Sequence, residues 1–181
     1  LPVTSKAVFL YTGSLYGLRN PNYMFMAFKR LLKEYPEAKI VFVGMRMKFR
    51  DMRSILSAEE LKHIEVYEHT NDLEPLFRES TVLIDINADR ESDPFLSSKI
   101  VTYLKTNRMI ITECGSDTPT REVFAGLNTV ILSEHSAESF YRAMTLALER
   151  AHSNPDYSER EAVIKQFSIE EVSSILYNDL V

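Results

Sequence analysis

Two glycines, a serine and an arginine stand close together in the loop-like segment TGSLYGLRNP at residues 12–21. Gly13 and Gly17 would let backbone amides approach an anion, and Ser14 adds a hydroxyl. Arg19 can hold a phosphate through two parallel N–H groups, and the helix predicted after the loop favours negative charge. The pattern indicates a phosphate-binding loop; the alternative is a turn made by the glycines, with Arg19 as a solvated surface charge.

A second candidate anion site is the segment Phe95–Lys99, FLSSK, which is predicted to enter a helix. A cation such as Lys99 is unfavourable near a helix amino terminus unless an anion lies between the two. A bound diphosphate would remove that conflict, next to the hydroxyls of Ser97 and Ser98. The alternative is that one serine only caps the helix and Lys99 points into water.

Between these segments lies the polar loop NADRESDP at 87–94, which carries three carboxylates. It is suited to hydrogen bonds with sugar hydroxyls, or it is a solvated surface loop. Because no histidine or cysteine accompanies its acidic residues, we expect no transition-metal site there. His69 follows another predicted strand and is interpreted as an edge or loop residue, with ligand contact as the alternative. The sequence shows no Ser-His-Asp order, paired-cysteine metal spacing or Walker phosphate loop.

The bulk composition suits one compact domain over residues 1–181, since 45% of the residues are hydrophobic. The formal charge is −5 and the basic residues are scattered, so no surface for nucleic acid stands out. The single cysteine, Cys114, excludes an intramolecular disulfide, and its apolar neighbours indicate a small buried side chain. No apolar stretch is long enough to span a membrane and Leu1–Lys6 does not resemble a signal peptide, so we expect a cytoplasmic protein.

Six short runs rich in β-branched and aromatic residues alternate with helical patterns. This order predicts an α/β fold, a Rossmann-like, doubly wound parallel sheet with helices on both faces. Several runs are apolar at consecutive positions, as expected of parallel strands buried on both faces. Ligands lie at the carboxyl ends of such strands, so the loops after the strands should form the site. The predicted strands are Val8–Thr12, Lys39–Val43, Ile64–Tyr67, Val82–Ile86, Met109–Thr112 and Thr129–Leu132.

Helical spacing of apolar residues is clearest at Asn22–Glu34, which has Pro21 before it and Pro36 after it. After the last strand the pattern changes to helices only, which predicts a C-terminal helical extension. Its last helix opens on a capping box formed by Ser168 and Glu171. The other predicted helices are Phe49–Leu56, Asp72–Arg78, Ser97–Lys105, Thr120–Ala125, Ala137–Arg150, Ser158–Lys165 and Ser168–Leu180.

Five segments, spread over nearly the whole chain, resemble in type and order the carboxyl-terminal domain of GT-B glycosyltransferases of the large GT4-like, "group 1" class. In such enzymes this domain holds an activated sugar nucleotide, and a separate amino-terminal Rossmann-like domain presents the acceptor across a cleft. The five segments are VFLYTGSLYGLRNP at 8–21, KIVFVG at 39–44, NDLEPLFRESTVLIDIN at 71–87, SSKIVTYLKTNRMIIT at 97–112 and FSIEEVSSILYNDL at 167–180.

The resemblance implies a site for a nucleoside-diphosphate sugar, with no metal and no further cofactor. Arg19 and Lys99 are the expected catalytic residues, because they would neutralise negative charge on the departing nucleotide. The resemblance also implies which residues bind the donor: Gly13, Ser14, Ser97 and Ser98 at the diphosphate, Gly44, His69 and Thr70 at the nucleobase, Thr102 at the ribose, and Asp93, Pro94, Phe95 and Leu96 near the sugar.

Two departures from the family pattern bear on activity. Many members have two glutamates separated by seven residues, the later one binding the ribose hydroxyls, whereas this chain has Pro94 and Thr102 at those positions. A threonine can still hydrogen-bond a hydroxyl, but it loses the charge-assisted strength of a carboxylate, so the interaction is roughly halved. Asn107 and Met109 replace the usual glycine and proline of the following turn.

These observations lead us to expect the donor domain of a retaining, metal-independent glycosyltransferase that acts in polysaccharide or glycoconjugate assembly. Its partner would be a missing N-terminal Rossmann-like half, because the chain is too short to contain two such domains. We expect the chain alone to be inactive, with peripheral membrane association only through that missing half. The alternative is a non-catalytic nucleotide-sugar-binding or interaction domain with a degenerate donor site. A flavodoxin-like signalling domain is a third hypothesis, but the tight acidic pocket and partner lysine of that class are not evident.

Overall fold

A six-stranded parallel sheet organises the chain, as the sequence predicts, and its strands lie in the order third, second, first, fourth, fifth and sixth as numbered along the chain. The computed structural model describes residues 6–45 and 52–173. The first four predicted strands have the predicted bounds, whereas β5 continues one residue further and β6 begins one residue later. The strands are β1 Val8–Thr12, β2 Lys39–Val43, β3 Ile64–Tyr67, β4 Val82–Ile86, β5 Met109–Glu113 and β6 Val130–Ser133.

Helices follow most strands and cover both faces of the sheet, so the alternation read from the sequence is confirmed. The clearest predicted helix ends three residues early, at Leu31, because the chain turns at 32–34 before Pro36. The described helices are α1 Asn22–Leu31, α2 Glu74–Glu79, α3 Ser98–Leu104, α4 Pro119–Phe124, α5 Ala137–His152 and α6 Glu161–Gln166, with short 3₁₀ helices at Glu60–His63 and Tyr157–Arg160.

Two predicted helices lie partly outside the described residues. The helix predicted at Phe49–Leu56 is described from residue 52 onward, where Met52 and Leu56 are buried in the core. The helix predicted at Ser168–Leu180 is described to residue 173. At its start the Glu171 amide donates to the Ser168 hydroxyl over 3.2 Å, which is the first half of the predicted capping box.

Apolar side chains pack on both faces of the sheet, which explains why its strands are apolar at consecutive positions. On one face Phe9 and Phe42 join the buried faces of α1 and α5. On the other face Leu10 and Leu83 join the buried residues of α3 and α4. The strand order reverses between β1 and β4, so the loops after these two neighbours diverge and leave a crevice at their carboxyl ends.

No helix in the described ranges is long and apolar enough to cross a membrane.

Candidate functional site

A cleft of about 780 Å³ opens where the strand order reverses, at the carboxyl ends of β1 and β4. Its walls come from the loops after β1, β3 and β4 and from the start of α3. The sequence predicts a ligand site at these same segments. The lining residues are Thr12, Gly13, Ser14, Tyr16, Gly17, Leu18, Arg19, Val43, His69, Thr70, Leu73, Ala88, Arg90, Asp93, Phe95, Leu96, Ser97, Ser98 and Lys99.

The loop after β1 turns sharply into the cleft at Gly13. Its φ of 97° lies in the left-handed region, which a residue with a Cβ adopts only at a cost. The Gly13 amide donates to the Val43 carbonyl over 2.8 Å, and the Ser14 hydroxyl donates to the Gly44 carbonyl over 3.2 Å. These bonds join the β1 loop to the β2 loop and fix one wall of the cleft.

Lys99 is the most enclosed cation of the cleft, with a side chain only 16% exposed. Its Nζ donates to the Tyr11 hydroxyl over 2.8 Å and lies 3.5 Å from Asp85 Oδ1. Burial lowers the pKa of Lys99, and the charge of Arg19 lowers it further, whereas the Asp85 carboxylate opposes both effects. The ammonium therefore lies beside its own counterion at the floor of the cleft.

The floor beneath Lys99 is a hydrogen-bonded polar network. Asp85 Oδ2 accepts from Asn87 Nδ2 over 3.3 Å and from the Thr112 hydroxyl over 3.2 Å. On the α3 side, the Tyr103 hydroxyl accepts from the Thr12 amide over 2.9 Å. Burial raises the pKa of Tyr103 above its ordinary value, so this hydroxyl stays neutral.

The rim of the cleft combines cations with exposed aromatic rings. The Arg19 guanidinium lies 4.8 Å from the centre of the Tyr16 ring, and Arg90 lines the wall formed by the β4 loop. Tyr16 is 66% exposed and Phe95 is 70% exposed. The cleft therefore presents Arg19, Arg90 and Lys99 toward one space, and that arrangement suits an anionic ligand.

Most of the predicted donor-binding residues meet at this cleft, but three of them do not line it. Gly44 lies behind the wall, where its carbonyl accepts from Ser14. Pro94 and Thr102 are exposed, and neither belongs to the lining. The alternative for this segment, a serine that only caps the helix and a Lys99 that points into water, does not hold: Ser97 occupies the N-cap of α3 without accepting a side-chain hydrogen bond from the helix, and Lys99 lines the cleft.

The remaining predicted contacts come from short loops. His69 and Thr70 follow β3 and line the cleft on the side of Gly44. Asp93 is almost fully buried and accepts from the Phe95 amide over 3.2 Å, so its carboxylate orders the loop that enters α3. Within residues 6–45 and 52–173, no three His, Cys, Asp or Glu side chains are grouped so as to hold a metal ion.

Sequence reasoning missed the polar floor, Tyr11, Asp85 and Tyr103. One signal was available for Asp85, because a carboxylate stands in the otherwise apolar strand VLIDI. A charge in a strand buried on both faces requires a partner. Its partner Lys99 is fourteen residues away in sequence, and nothing in the local pattern identifies that pairing.

The structure is similar to several glycosyltransferase structures. No protein-family model matches the sequence, and no curated protein matches it. TarM superimposes with a TM-score of 0.78 at 9% identity, covering 98% of this chain and 35% of TarM. The C-terminal domain of a group 1 family glycosyl transferase, LpcC from Francisella tularensis, gives 0.62 at 12% identity, covering 88% of this chain and 87% of that domain.

A third similar structure is that of an E. coli protein with bound UDP-2-fluoro glucose. It gives a TM-score of 0.66 at 14% identity and covers 97% of this chain and 44% of the E. coli chain. The chain thus spans about a third of TarM and under half of the E. coli protein. At these identities the similarity concerns the fold, and it confirms the predicted fold of a GT-B carboxyl-terminal domain.

Proposed function

We propose that this chain is the donor-binding domain of a glycosyltransferase and that its cleft binds a nucleoside-diphosphate sugar. The observation that carries the proposal is the placement of Lys99 and Arg19 in one cleft at the strand reversal of a GT-B-like sheet. In open α/β sheets this is the place where ligands bind. Two cations that face one space suit the two charges of a diphosphate.

The same cations account for the proposed chemistry. When the sugar leaves, negative charge grows on the nucleotide diphosphate, and fixed cations beside it stabilise the transition state. Lys99 is prepared for this role because its surroundings already exclude most water, and electrostatic attraction is stronger there. Retention of configuration, independence of metal ions and a role in polysaccharide assembly belong to the proposal through the resemblance alone.

The neighbouring loops suggest an orientation for the donor. His69 and Thr70, which follow β3, would lie near the nucleobase, and Phe95 and Leu96, which follow β4, would lie near the sugar. The chain covers 35% of TarM. We propose that a second domain binds the acceptor and that the chain alone does not turn over.

A second candidate function is non-catalytic binding, and the position of Thr102 favours it. Thr102 is exposed on α3 and does not line the cleft, so nothing at that position replaces the ribose-binding glutamate of the family. Under this proposal the cleft still accepts a diphosphate, but ribose contributes little to affinity.

Calorimetric titration with UDP, GDP, UDP-glucose and GDP-mannose tests the donor site. We expect saturable binding that Lys99→Ala and Arg19→Ala each weaken by about tenfold to a hundredfold, the usual cost of one charged hydrogen bond. Lys105→Ala is the matched control, because Lys105 is exposed at the far end of α3. Unchanged affinity in both cleft variants would contradict the proposal.

The same titration with Thr102→Glu separates the two candidate functions. A gain in UDP affinity would mean that the family's carboxylate can be restored and that the donor site has decayed, as the non-catalytic function requires. No gain, or a loss, would favour a working site whose ribose contacts come from residues other than Thr102.

A further inference from the structure

The loop 88–93 is bound on both of its sides, although it lies at the surface. On one side the Asp89 amide donates to the Leu18 carbonyl over 3.1 Å, which links this loop to the β1 loop. On the other side the Asp117 amide donates to the Glu91 carbonyl over 3.0 Å, which links it to the loop after β5. Through Ala88 and Arg90 the loop 88–93 also forms one wall of the cleft.

The contact with the β5 loop is unusually close and depends on Gly115. A Cβ at this position would overlap the carbonyl oxygens of Arg90 and Glu91, and these are backbone atoms that cannot rotate away. Any larger residue would therefore displace the loop 88–93. This close backbone approach fixes the position of the loop 88–93 relative to β5.

A buried acid–histidine pair lies behind the same loop. Glu113, the last residue of β5, is almost fully buried, and its Oε1 lies 3.0 Å from His135 Nδ1. The same Nδ1 lies 4.0 Å from Asp89 Oδ1 in the loop 88–93. His135 follows β6, so one imidazole connects three consecutive strands of the sheet at their carboxyl ends.

We propose that His135 is a positioning residue, whose imidazolium links Glu113 to Asp89 and so holds the loop 88–93 where Arg90 lines the cleft. The proposal rests on the proposed function, since it assigns the held loop a part in donor binding. His135 itself does not line the cleft, so its effect on the donor would pass through the loop.

Charge balance explains why the imidazole should be protonated. A buried carboxylate with a single hydrogen bond is costly unless a cation pairs with it. The groups that face His135 are Glu113 from β5 and Asp89 from the β4 loop, with the exposed Glu134 beside it in the chain. Glu113 and Asp89 both favour the charged imidazole.

The pH range of this link follows from the two partners. The hydrogen bond to Glu113 raises the pKa of His135, and burial raises the pKa of Glu113. The link is therefore complete below the ordinary pKa of histidine, about 6.5, and is lost as the pH rises through the higher pKa of the folded state. At acid pH it is lost again when Glu113 takes up a proton.

Amide hydrogen exchange and UDP-glucose titration on three variants test the proposal. His135→Gln keeps a hydrogen-bond donor for Glu113 but loses the charge, and Asp89→Asn removes the exposed partner with little risk to folding. His152→Gln is the matched control, because that histidine hydrogen-bonds the Leu148 carbonyl in the last turn of α5 and does not line the cleft. Each protein is measured at pH 6.5 and at pH 8.5.

At pH 6.5 we expect the backbone amides of residues 89 and 117 to exchange faster in His135→Gln and in Asp89→Asn than in the wild type. We expect UDP-glucose to bind the same two variants about fivefold more weakly, the lower range of typical coupling between sites. The ratio of variant to wild-type dissociation constants should fall toward one at pH 8.5, which a purely structural role would not produce.

Unchanged exchange of the loop amides at pH 6.5 would overturn the proposal, whatever the ligand does. A ratio of dissociation constants that is the same at both pH values would overturn it as well. Failure of the wild type to bind UDP-glucose would instead overturn the proposed function, and with it the assigned part in donor binding. In that case the exchange data would still report whether His135 holds the loop.

Discussion

At the scale of residues, the buried carboxylate of Asp85 beneath a proposed anion site needs an explanation. A negative charge there opposes a diphosphate, but without it the enclosed Lys99 would lose its proton more easily, since burial lowers the pKa of Lys99. Tyr11 joins Lys99 to the β1 loop, because its hydroxyl accepts from Lys99 and donates to the Ser14 carbonyl over 3.4 Å. We interpret Asp85 as the group that keeps Lys99 charged while the cleft is empty.

This role of Asp85 predicts a pH dependence. Only the ammonium form of Lys99 pairs with a diphosphate, so affinity for UDP-glucose should fall as the pH rises through the lowered pKa of Lys99, below its ordinary 10.5. In Asp85→Asn the fall should begin at lower pH, because the carboxylate that favours the ammonium is gone. In Lys99→Arg it should disappear over the same range. Calorimetry between pH 6 and 10 measures this, and superimposable profiles of wild type and Asp85→Asn would refute the role.

The sequence predicted those site residues that come directly after a strand. Gly13, Arg19 and Lys99 are polar or flexible positions next to apolar runs, and the parallel topology then brings them together. The partners in the floor were not predictable, because Tyr11 and Tyr103 look like ordinary core aromatics. Their hydroxyls acquire a role only when residues about ninety positions apart meet across the fold.

At the scale of elements, apolar periodicity fixed the strands well because each is buried on both faces. Boundaries were less certain where a polar residue belongs to the strand, as at the end of β5. Glu113 there was not predicted to be in the strand, although its carbonyl accepts from the Asn87 amide and extends the sheet. The helix predicted at Asp72–Arg78 begins two residues later in the structure, at Glu74, with Pro75 in its first turn.

The C-terminal helical extension is joined to the sheet by a buried arginine. Arg160 donates to the carbonyls of Thr106, Arg108 and Thr129 at 2.7–2.8 Å and to the Thr129 hydroxyl at 2.8 Å. Beside it, Glu159 accepts from the Thr129 amide over 2.7 Å. These bonds tie the extension to backbone groups at the turns that enter β5 and β6.

Arg160→Leu should therefore lower the free energy of unfolding by about 2–4 kcal/mol, because it removes the hydrogen bonds that the buried guanidinium donates to three carbonyls. Urea denaturation followed by circular dichroism measures the change. Arg142→Leu is the control: Arg142 is exposed on α5 and pairs with Glu138 one turn away, so the midpoint should not move. Equal midpoints for both variants would show that Arg160 does not anchor the extension.

At the scale of the whole molecule, the charge distribution supports a local anion site on an acidic protein. The chain carries a formal charge of −5, yet the cleft is lined by three cations and one carboxylate, Asp93, which already accepts from a backbone amide. Composition could not reveal this, because it averages over a surface on which basic residues are scattered. The sheet topology concentrates them at one edge.

The fold also explains what the sequence could establish about function. Alternating strands and helices sufficed for the α/β architecture, and the order of five loose segments sufficed for the resemblance to a GT-B carboxyl-terminal domain. In the proposed function a few loop side chains would select the donor sugar and a second domain would select the acceptor, so neither choice follows from the fold.

A crystal structure of the chain with UDP-glucose would show directly whether the cleft binds the diphosphate. We predict that the diphosphate lies above Gly13, within hydrogen-bonding distance of Lys99 Nζ and of the Arg19 guanidinium, with the base toward His69. A nucleotide bound away from both cations, or bound in the cleft with Lys99 still donating only to Tyr11, would contradict it.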